Sequence, residues 1–416
     1  MYIYKTIHVN TVEEYLKAVL DGFAVIKYPD EIKEEVIKKL EELKDTNDEV
    51  LLSYLFLVDK QDTETFRIFE SLAKKNNLKA INAIGIQYFY GKGIEKSYEK
   101  AFEWFLKAAE QGSAIAQRNV GISYYKGEGI EQSYEKAFEW YMKAAKQKYA
   151  LAQYNVGDCY YFGEGVEQSY EKAIEWFLKA AEQGNAVAQK KIGDCYGQLV
   201  EQSYEKAFEW YMKAAEQGNA LAQYNVGDCY YFGKGTKQSY VKALDWYVKA
   251  AIQGNAKAQN KIGDCYYYSD GVKQSYQKAF IWYMKAAEQK YATAQNSVGD
   301  CYYLGKGVEQ SYEEAFIWYI RAAEQKYAAA QNNVGNCYYY GKWARQSYEE
   351  AFEWFLKAAE QGYAAAQINI GDCYRDGKGT EKDYNKALYY YELALKNGHS
   401  EVKENIEQLN QLINEQ

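Results

Sequence analysis

Residues 150–185 read ALAQYNVGDCYYFGEGVEQSYEKAIEWFLKAAEQGN. In the first half, Ala152, Val156 and Cys159 lie three or four positions apart, which predicts one apolar face of an α-helix. Gly163 follows this face and is suited to end the helix, because glycine readily adopts the left-handed backbone of a C-terminal cap. The first half therefore predicts a short helix followed by a glycine turn.

The second half predicts another helix, from Tyr170 to Gln183. Ser169 precedes it and is placed to cap it, because its hydroxyl can accept an otherwise unpaired backbone N–H. Glu175 and Lys179 form a favourable pair on the outer face. The predicted inner face is apolar and consists of Tyr170, Ala173, Trp176, Phe177 and Ala180. Together the two halves predict a helix–turn–helix unit.

This unit recurs along the chain. Its Ser-Tyr pair returns every 36 residues, except for a step of 34 residues between Ser169 and Ser203, and becomes Asp383-Tyr384 in the ninth unit. Tryptophan and cysteine follow the same period, at Trp104, Trp140, Trp176, Trp210, Trp246, Trp282, Trp318 and Trp354 and at Cys159, Cys195, Cys229, Cys265, Cys301, Cys337 and Cys373. A fixed period of this length indicates a solenoid of stacked units.

The repeated pattern Ala-x-x-x-Val-Gly-x-x-Tyr-x-x-Gly-x-Gly-Val, then Tyr-x-x-Ala-x-x-Trp-x-x-x-Ala-Ala-x-x-Gly, resembles the Sel-1-like repeat, one of the tetratricopeptide-like helical repeats. The resemblance implies an all-α, right-handed α-solenoid of about nine 36-residue repeats that acts as a scaffold or adaptor. We expect four parts: an N-terminal cap or small α/β module (1–45), a degenerate helical pair (46–77), nine repeats (78–398) and a C-terminal capping helix (399–416).

The two ends differ from the repeats. Tyr2–Val9 and Phe23–Tyr28 are predicted to be short strands, and Ser400 is predicted to cap the last helix. In the degenerate pair, Ile68 stands where the repeats have tryptophan. The C-terminal helix is interpreted as a solenoid cap, and residues 1–45 as a cap or, alternatively, a separate recognition module.

Three departures from the repeat predict local irregularities. Lysine replaces the glycine after the second helix at Lys148, Lys290 and Lys326, so those turns must be strained or capped differently. The fourth unit lacks two residues around Leu199, which predicts a distorted turn. In the eighth unit, Trp343 and Ala344 replace the usual Gly-Val of the interhelical turn.

Composition limits the function. The net charge of −8 provides no basic excess for binding phosphate backbones, so we expect no nucleic-acid partner. No run of eighteen apolar residues is present, so we expect no membrane span. The first residues do not resemble a secretion signal, so we expect a cytoplasmic protein. Export by a route that needs no signal, and with it a host-directed effector, stays an alternative.

Two motifs raise chemical alternatives. The seven cysteines, one per unit, are interpreted as small buried hydrophobic residues, and we expect no metal or cofactor. The Ser-x-x-Lys spacing, as in Ser97 to Lys100, also occurs in penicillin-recognising enzymes, and some proteins of the similar family are associated with β-lactam binding. The serine recurs in successive units, where its oxygen caps a helix, and a catalytic serine is not usually repeated in this way. We therefore assign no residue a catalytic role.

The first helices carry an aspartate row and a tyrosine row, which in solenoids of this kind line the concave face. Carboxylates alternating with aromatic rings suit a protein segment that carries lysine or arginine. The candidate peptide-binding residues are Tyr154, Asp158, Tyr161, Tyr224, Asp228, Tyr231, Asp264, Tyr267, Asp300, Tyr303 and Tyr339. In the alternative interpretation, each aspartate bonds neighbouring backbone and each tyrosine fills the seam between repeats.

One further row varies in identity from repeat to repeat. Its members are Arg118, Tyr154, Lys190, Tyr224, Asn260, Asn296, Asn332 and Ile368. Variation within an otherwise uniform repeat predicts positions that are free from packing, where ligand specificity could be encoded.

Overall fold

The computed structural model describes residues 6–8, 25–27, 63–198 and 203–414. Two strands, β1 (Thr6–His8) and β2 (Val25–Lys27), pair in parallel, with Thr6 opposite Val25. Both strands lie within the segments predicted to be strands. Of the predicted helical pair at 46–77, residues 46–62 lie outside the described part.

The chain forms two compact units, residues 1–202 and 203–416. The first unit holds helices α1 to α8. Their bounds are α1 Thr63–Lys74, α2 Leu78–Tyr90, α3 Tyr98–Glu110, α4 Ala114–Lys126, α5 Tyr134–Lys146, α6 Ala150–Phe162, α7 Tyr170–Glu182 and α8 Ala186–Gln198. From α2 onward the helices alternate as the first and second helices of successive repeats. The shortened turn predicted around Leu199 lies outside the described residues.

The second unit continues the same alternation. Its helices are α9 Tyr204–Glu216, α10 Ala220–Phe232, α11 Tyr240–Ile252, α12 Ala256–Tyr268, α13 Tyr276–Glu288, α14 Ala292–Leu304, α15 Tyr312–Glu324, α16 Ala328–Tyr340, α17 Tyr348–Glu360, α18 Ala364–Asp376 and α19 Tyr384–Lys396. A short 3₁₀ turn (Ser400–Val402) and α20 (Lys403–Asn414) follow. The repeats are thus an all-helical α-solenoid, as predicted.

At α6 and α7 the predicted caps set the helix ends, whereas Ser400 lies in the 3₁₀ turn that precedes α20 and does not cap that helix. The hydroxyl of Ser169 accepts the backbone N–H of Lys172 at 3.3 Å and so starts α7. Gly163 ends α6 in the left-handed conformation at φ 74°. The lysines that replace glycine after second helices, Lys148, Lys290 and Lys326, keep that conformation at φ 62°. Of the two outcomes predicted for these turns, the strained backbone is therefore the one observed.

The core of each repeat lies where its two helices meet. The glycine in the middle of the first helix makes room for the aromatic residue that follows the tryptophan of the second helix. A Cβ atom at Gly299 would lie only 2.5 Å from the ring of Tyr319, and Tyr319 itself is buried. The glycine therefore allows the two helices to approach closely.

The repeat tryptophans lie at the border of this core, except for Trp318, which is buried in it. Trp246 is half-buried, whereas the next residue, Tyr247, is fully buried. The amine of Lys249 lies 3.7 Å from the centre of the Trp246 ring and covers its outer side. The predicted inward position of the tryptophan row is therefore only partly correct, because the adjacent aromatic residue occupies the space beside the glycine.

A chain of glutamine side chains connects neighbouring repeats through the interior. Gln325 donates to the amide oxygen of Gln295 at 2.6 Å, and buried Gln295 donates to the carbonyl of Ala287 in the preceding repeat at 3.3 Å. The same arrangement recurs from Gln289 through Gln259, and in the ninth repeat Asn397 takes the place of the first glutamine. Buried amides that are paired in this way fix how one repeat sits on the next.

Candidate functional site

The solvent-facing side of the first helices carries an aspartate and, four residues later, a large apolar side chain. In the fifth to seventh repeats these pairs form what we call the first-helix stripe: Asp228 and Phe232, Asp264 and Tyr268, and Asp300 and Leu304. The three apolar side chains are 54%, 65% and 51% exposed. Sequence analysis missed these apolar residues, although a spacing of four places them on the helical face that holds the aspartates.

The aspartates of the stripe are bound by the core tyrosines of their own repeats. The hydroxyls of Tyr247, Tyr283 and Tyr319 donate to Asp228, Asp264 and Asp300 at 2.6, 2.9 and 2.8 Å. The alternative interpretation expected bonds from neighbouring backbone to these carboxylates. The donor is instead a side chain of the second helix, which ties the two helices of a repeat together.

The aspartates differ in whether they already have a cationic partner. Lys191 lies 3.2 Å from Asp158, and Lys261 lies 3.4 Å from Asp264. Within the described residues, Asp228 and Asp300 have only neutral partners. A second protein could therefore supply the missing positive charge at these two positions.

Asp300 is the clearest of these carboxylates. It accepts hydrogen bonds from the hydroxyl of Tyr319 and from the amides of Asn296 and Asn333, at 2.8, 3.0 and 3.4 Å. Burial raises its pKa to about 6, against a smaller opposing effect of the Tyr319 hydrogen bond. A cation placed beside this carboxylate would favour its ionised form.

The candidate tyrosines near the ends of the first helices bridge to the next repeat. The hydroxyl of Tyr231 donates to Asp270, and the hydroxyls of Tyr267 and Tyr339 accept from lysines at 2.9 and 2.7 Å. The amine of a lysine of the next repeat lies 4.6 Å from the ring centre of Tyr161. These contacts are the seam contacts of the alternative interpretation. Tyr303 differs, because it packs edge-on against Tyr312 of its own repeat, with 5.2 Å between ring centres.

Two other candidates face the core. Tyr154 is 7% exposed and packs on Phe177 at 5.6 Å, and Tyr224 packs on Tyr247 at 5.8 Å. The structure thus separates the predicted set into half-exposed aspartates, tyrosines of the seam and these two inner tyrosines. Whether any of them binds a partner stays a prediction.

The interpretation of the variable row is wrong, since most of its members are packed. Asn260, Asn296 and Asn332 are buried, as is Tyr154. Asn333 and Asn369 each donate to the variable-row asparagine of the preceding repeat, at 3.0 and 2.8 Å. Asn296 and Asn332 therefore take part in contacts between repeats and are not free from packing.

The cysteines and the Ser-x-x-Lys spacing have structural roles. The cysteines are free and buried, and burial raises the pKa of the Cys301 thiol to about 12, which suppresses its thiolate. Ser97 caps α3 and donates to Glu99 at 3.0 Å, while the amine of Lys100 lies 5.4 Å from the ring centre of Tyr88. The serine hydroxyl is therefore engaged at a helix end, as the capping interpretation predicts.

The sequence model of the Sel1 repeat family matches nine consecutive segments of the chain, at residues 78–113, 114–149, 150–185, 186–219, 220–255, 256–291, 292–327, 328–363 and 364–399. The chain belongs to the Sel1 repeat family. No curated protein sequence matches it significantly. In the described part of the chain, every helix is too short or too polar to span a membrane.

Two solved structures are similar to this Sel1 repeat protein at 30% sequence identity. A protective antigen present in uropathogenic Escherichia coli strains, which displays an SLR fold, covers 91% of this chain and 90% of its own length, with a TM-score of 0.58. A Sel1 repeat protein from Oxalobacter formigenes covers 74% of this chain and 89% of its own, with a TM-score of 0.56. The helical repeat fold supports a role as a protein-interaction scaffold.

Proposed function

We propose that this Sel1 repeat protein is a non-enzymatic scaffold whose first-helix stripe binds protein segments carrying lysine or arginine. The observation that carries the proposal is the pairing of Asp228 and Asp300, which have neutral partners only, with the exposed side chains of Phe232 and Leu304. A segment with alternating basic and apolar side chains would satisfy both features, through charge pairing and apolar contact.

The spacing of the stripe supports an extended or helical ligand. Corresponding positions recur once per repeat on α10, α12 and α14, so a ligand that runs across the helices meets a carboxylate and an apolar side chain at each step. Lys261 already neutralises Asp264 in the middle of the stripe. The proposal therefore places the basic residues of the ligand at the two outer aspartates.

The test compares a labelled peptide of repeated Lys-Lys-Leu units with its Glu-Glu-Leu counterpart by fluorescence anisotropy. The double variant Asp228→Asn, Asp300→Asn should weaken binding of the basic peptide about tenfold, since two partly exposed charge pairs contribute up to about 1 kcal/mol each. Asparagine occurs naturally at the equivalent Asn336, so the fold should tolerate both changes. The exposed Asp245, changed to asparagine, is the matched control.

Proton competition gives a second readout. Binding of the basic peptide should weaken as the pH falls through about 6, where Asp300 becomes protonated, and this pH dependence should diminish in the double variant. Equal binding by wild type and the double variant would refute the stripe as the binding surface. Once the surface is established, pull-down from native extract with the same pair of proteins would identify the natural partner.

A further inference from the structure

The second glycine of the interhelical turn has no room for a side chain. This glycine lies at positive φ in seven repeats, at Gly93, Gly129, Gly165, Gly235, Gly271, Gly307 and Gly379. At the last six of these a Cβ atom would overlap the backbone at the tyrosine that begins the preceding second helix, such as Tyr276 for Gly307. Both the φ angle and the space therefore require glycine at this position.

In the eighth repeat this position is Trp343. Its φ angle is 69°, so a bulky aromatic residue adopts a left-handed conformation that such residues rarely accept. Its side chain is 56% exposed, so core packing does not compensate the strain. Strained residues that do not serve packing are typical of binding sites, where the geometry is kept for the ligand.

The turn that holds Trp343 is itself aromatic and basic. Tyr340 is 62% exposed, and the turn carries Lys342 and Arg345 with no acidic residue between 340 and 348. The amine of Lys342, the residue before Trp343, lies 4.7 Å from the ring centre of Tyr312 in the preceding repeat. By contrast, the same turn of the third repeat carries Glu164 and Glu167.

We propose that residues 340–345, the eighth-repeat turn, form a second binding surface that takes an acidic protein segment with apolar side chains. Trp343 and Tyr340 would provide the apolar anchor, since exposed tryptophan, tyrosine and arginine dominate binding energy at protein interfaces. Lys342 and Arg345 select carboxylates by charge-assisted hydrogen bonds. The surface differs from the first-helix stripe in ligand charge, and in this repeat Asn336 replaces the stripe's aspartate.

The test uses the full chain and the same two peptides. The Glu-Glu-Leu peptide should bind wild type, and Trp343→Gly should weaken this binding about tenfold or more, as expected for an interface anchor. Trp343→Phe should keep most of the affinity, and the pair Lys342→Glu, Arg345→Glu should abolish it. The double variant Asp228→Asn, Asp300→Asn, which tests the stripe, should bind the acidic peptide like wild type.

Thermal unfolding followed by circular dichroism separates binding from packing. Trp343→Gly restores the residue of the other turns, so its melting temperature should rise while its affinity falls. The proposal is overturned if wild type does not bind the acidic peptide, if Trp343→Gly binds it unchanged, or if that variant melts below wild type. Sedimentation that shows self-association lost in Trp343→Gly would also overturn it, because the occupant would then be a second copy of the chain.

Discussion

Replacing Asp300 by asparagine should stabilise the protein at neutral pH but not in acid. Asp300 is surrounded by neutral partners, and its pKa is raised to about 6 from 3.8. A carboxyl whose pKa is raised on folding contributes most stability while it is protonated, and that contribution is lost as the pH rises through its folded pKa. The benefit of removing the charge should therefore appear between about pH 4 and pH 6 and reach its full size above that range.

The size of the effect follows from the hydrogen bonds. A rise in pKa from 3.8 to about 6 corresponds to about 3 kcal/mol at neutral pH. The amide of Asn296 donates to one carboxylate oxygen of Asp300. In the asparagine variant an NH₂ group replaces that oxygen and cannot accept the hydrogen bond, at a cost of about 1 kcal/mol. The hydroxyl of Tyr319 can still donate to the remaining oxygen. The expected net gain is about 2 kcal/mol.

Hydrogen exchange in α14 and α15 measures this gain locally, which suits a repeat protein whose units need not unfold together. Urea unfolding at about pH 4 and about pH 7.5 supplies the pH dependence. Asp245→Asn, at an exposed position, is the control for loss of one negative charge. The reasoning is refuted if Asp300→Asn is neutral or destabilising at the higher pH, or if it stabilises equally at both values.

Two further changes test the packing. Gly299→Ala should destabilise the seventh repeat by about 1–3 kcal/mol in urea unfolding, because its Cβ would lie 2.5 Å from the ring of Tyr319. An unchanged urea midpoint would mean that the two helices of this repeat can move apart without loss of stability. Tyr247→Ala should cost about 3–5 kcal/mol and Trp246→Ala less, because Tyr247 is fully buried and Trp246 is only half-buried. Calorimetry measures both losses of stability. A larger loss for Trp246→Ala than for Tyr247→Ala would contradict the assignment of Tyr247 as the core residue.

The helices and their ends were predictable because their signals are local. Ser169 and Gly163 act on backbone groups within four residues, so spacing alone identifies the caps. The choice between Trp246 and Tyr247 as the core residue was not predictable in this way. The two are neighbours at the edge of one helical face, and the glycine that decides between them lies on the other helix.

The aspartate row shows the same limit. Asp300 was correctly identified as a row member, but its main partner, Tyr319, is nineteen residues away on the second helix. The sequence contains no consistent signal for the pair, because Phe355 accompanies Asn336 but Phe177 accompanies Asp158 in the third repeat. The exposed Phe232 and Leu304 give a weaker signal in the sequence, because the apolar position of the stripe changes between phenylalanine, tyrosine and leucine.

The glutamine chain bears on how such a protein changes in length. The contact between Gln295 and Ala287 repeats that between Gln259 and Ala251, so each boundary presents the same surfaces. Excising residues 292–327 would bring together two ends that already match, whereas a cut that removes part of a repeat would leave buried amides without partners. Recombination between repeated DNA segments can therefore shorten or extend the protein by whole repeats. In each product the buried glutamine amides at the repeat boundaries keep their partners.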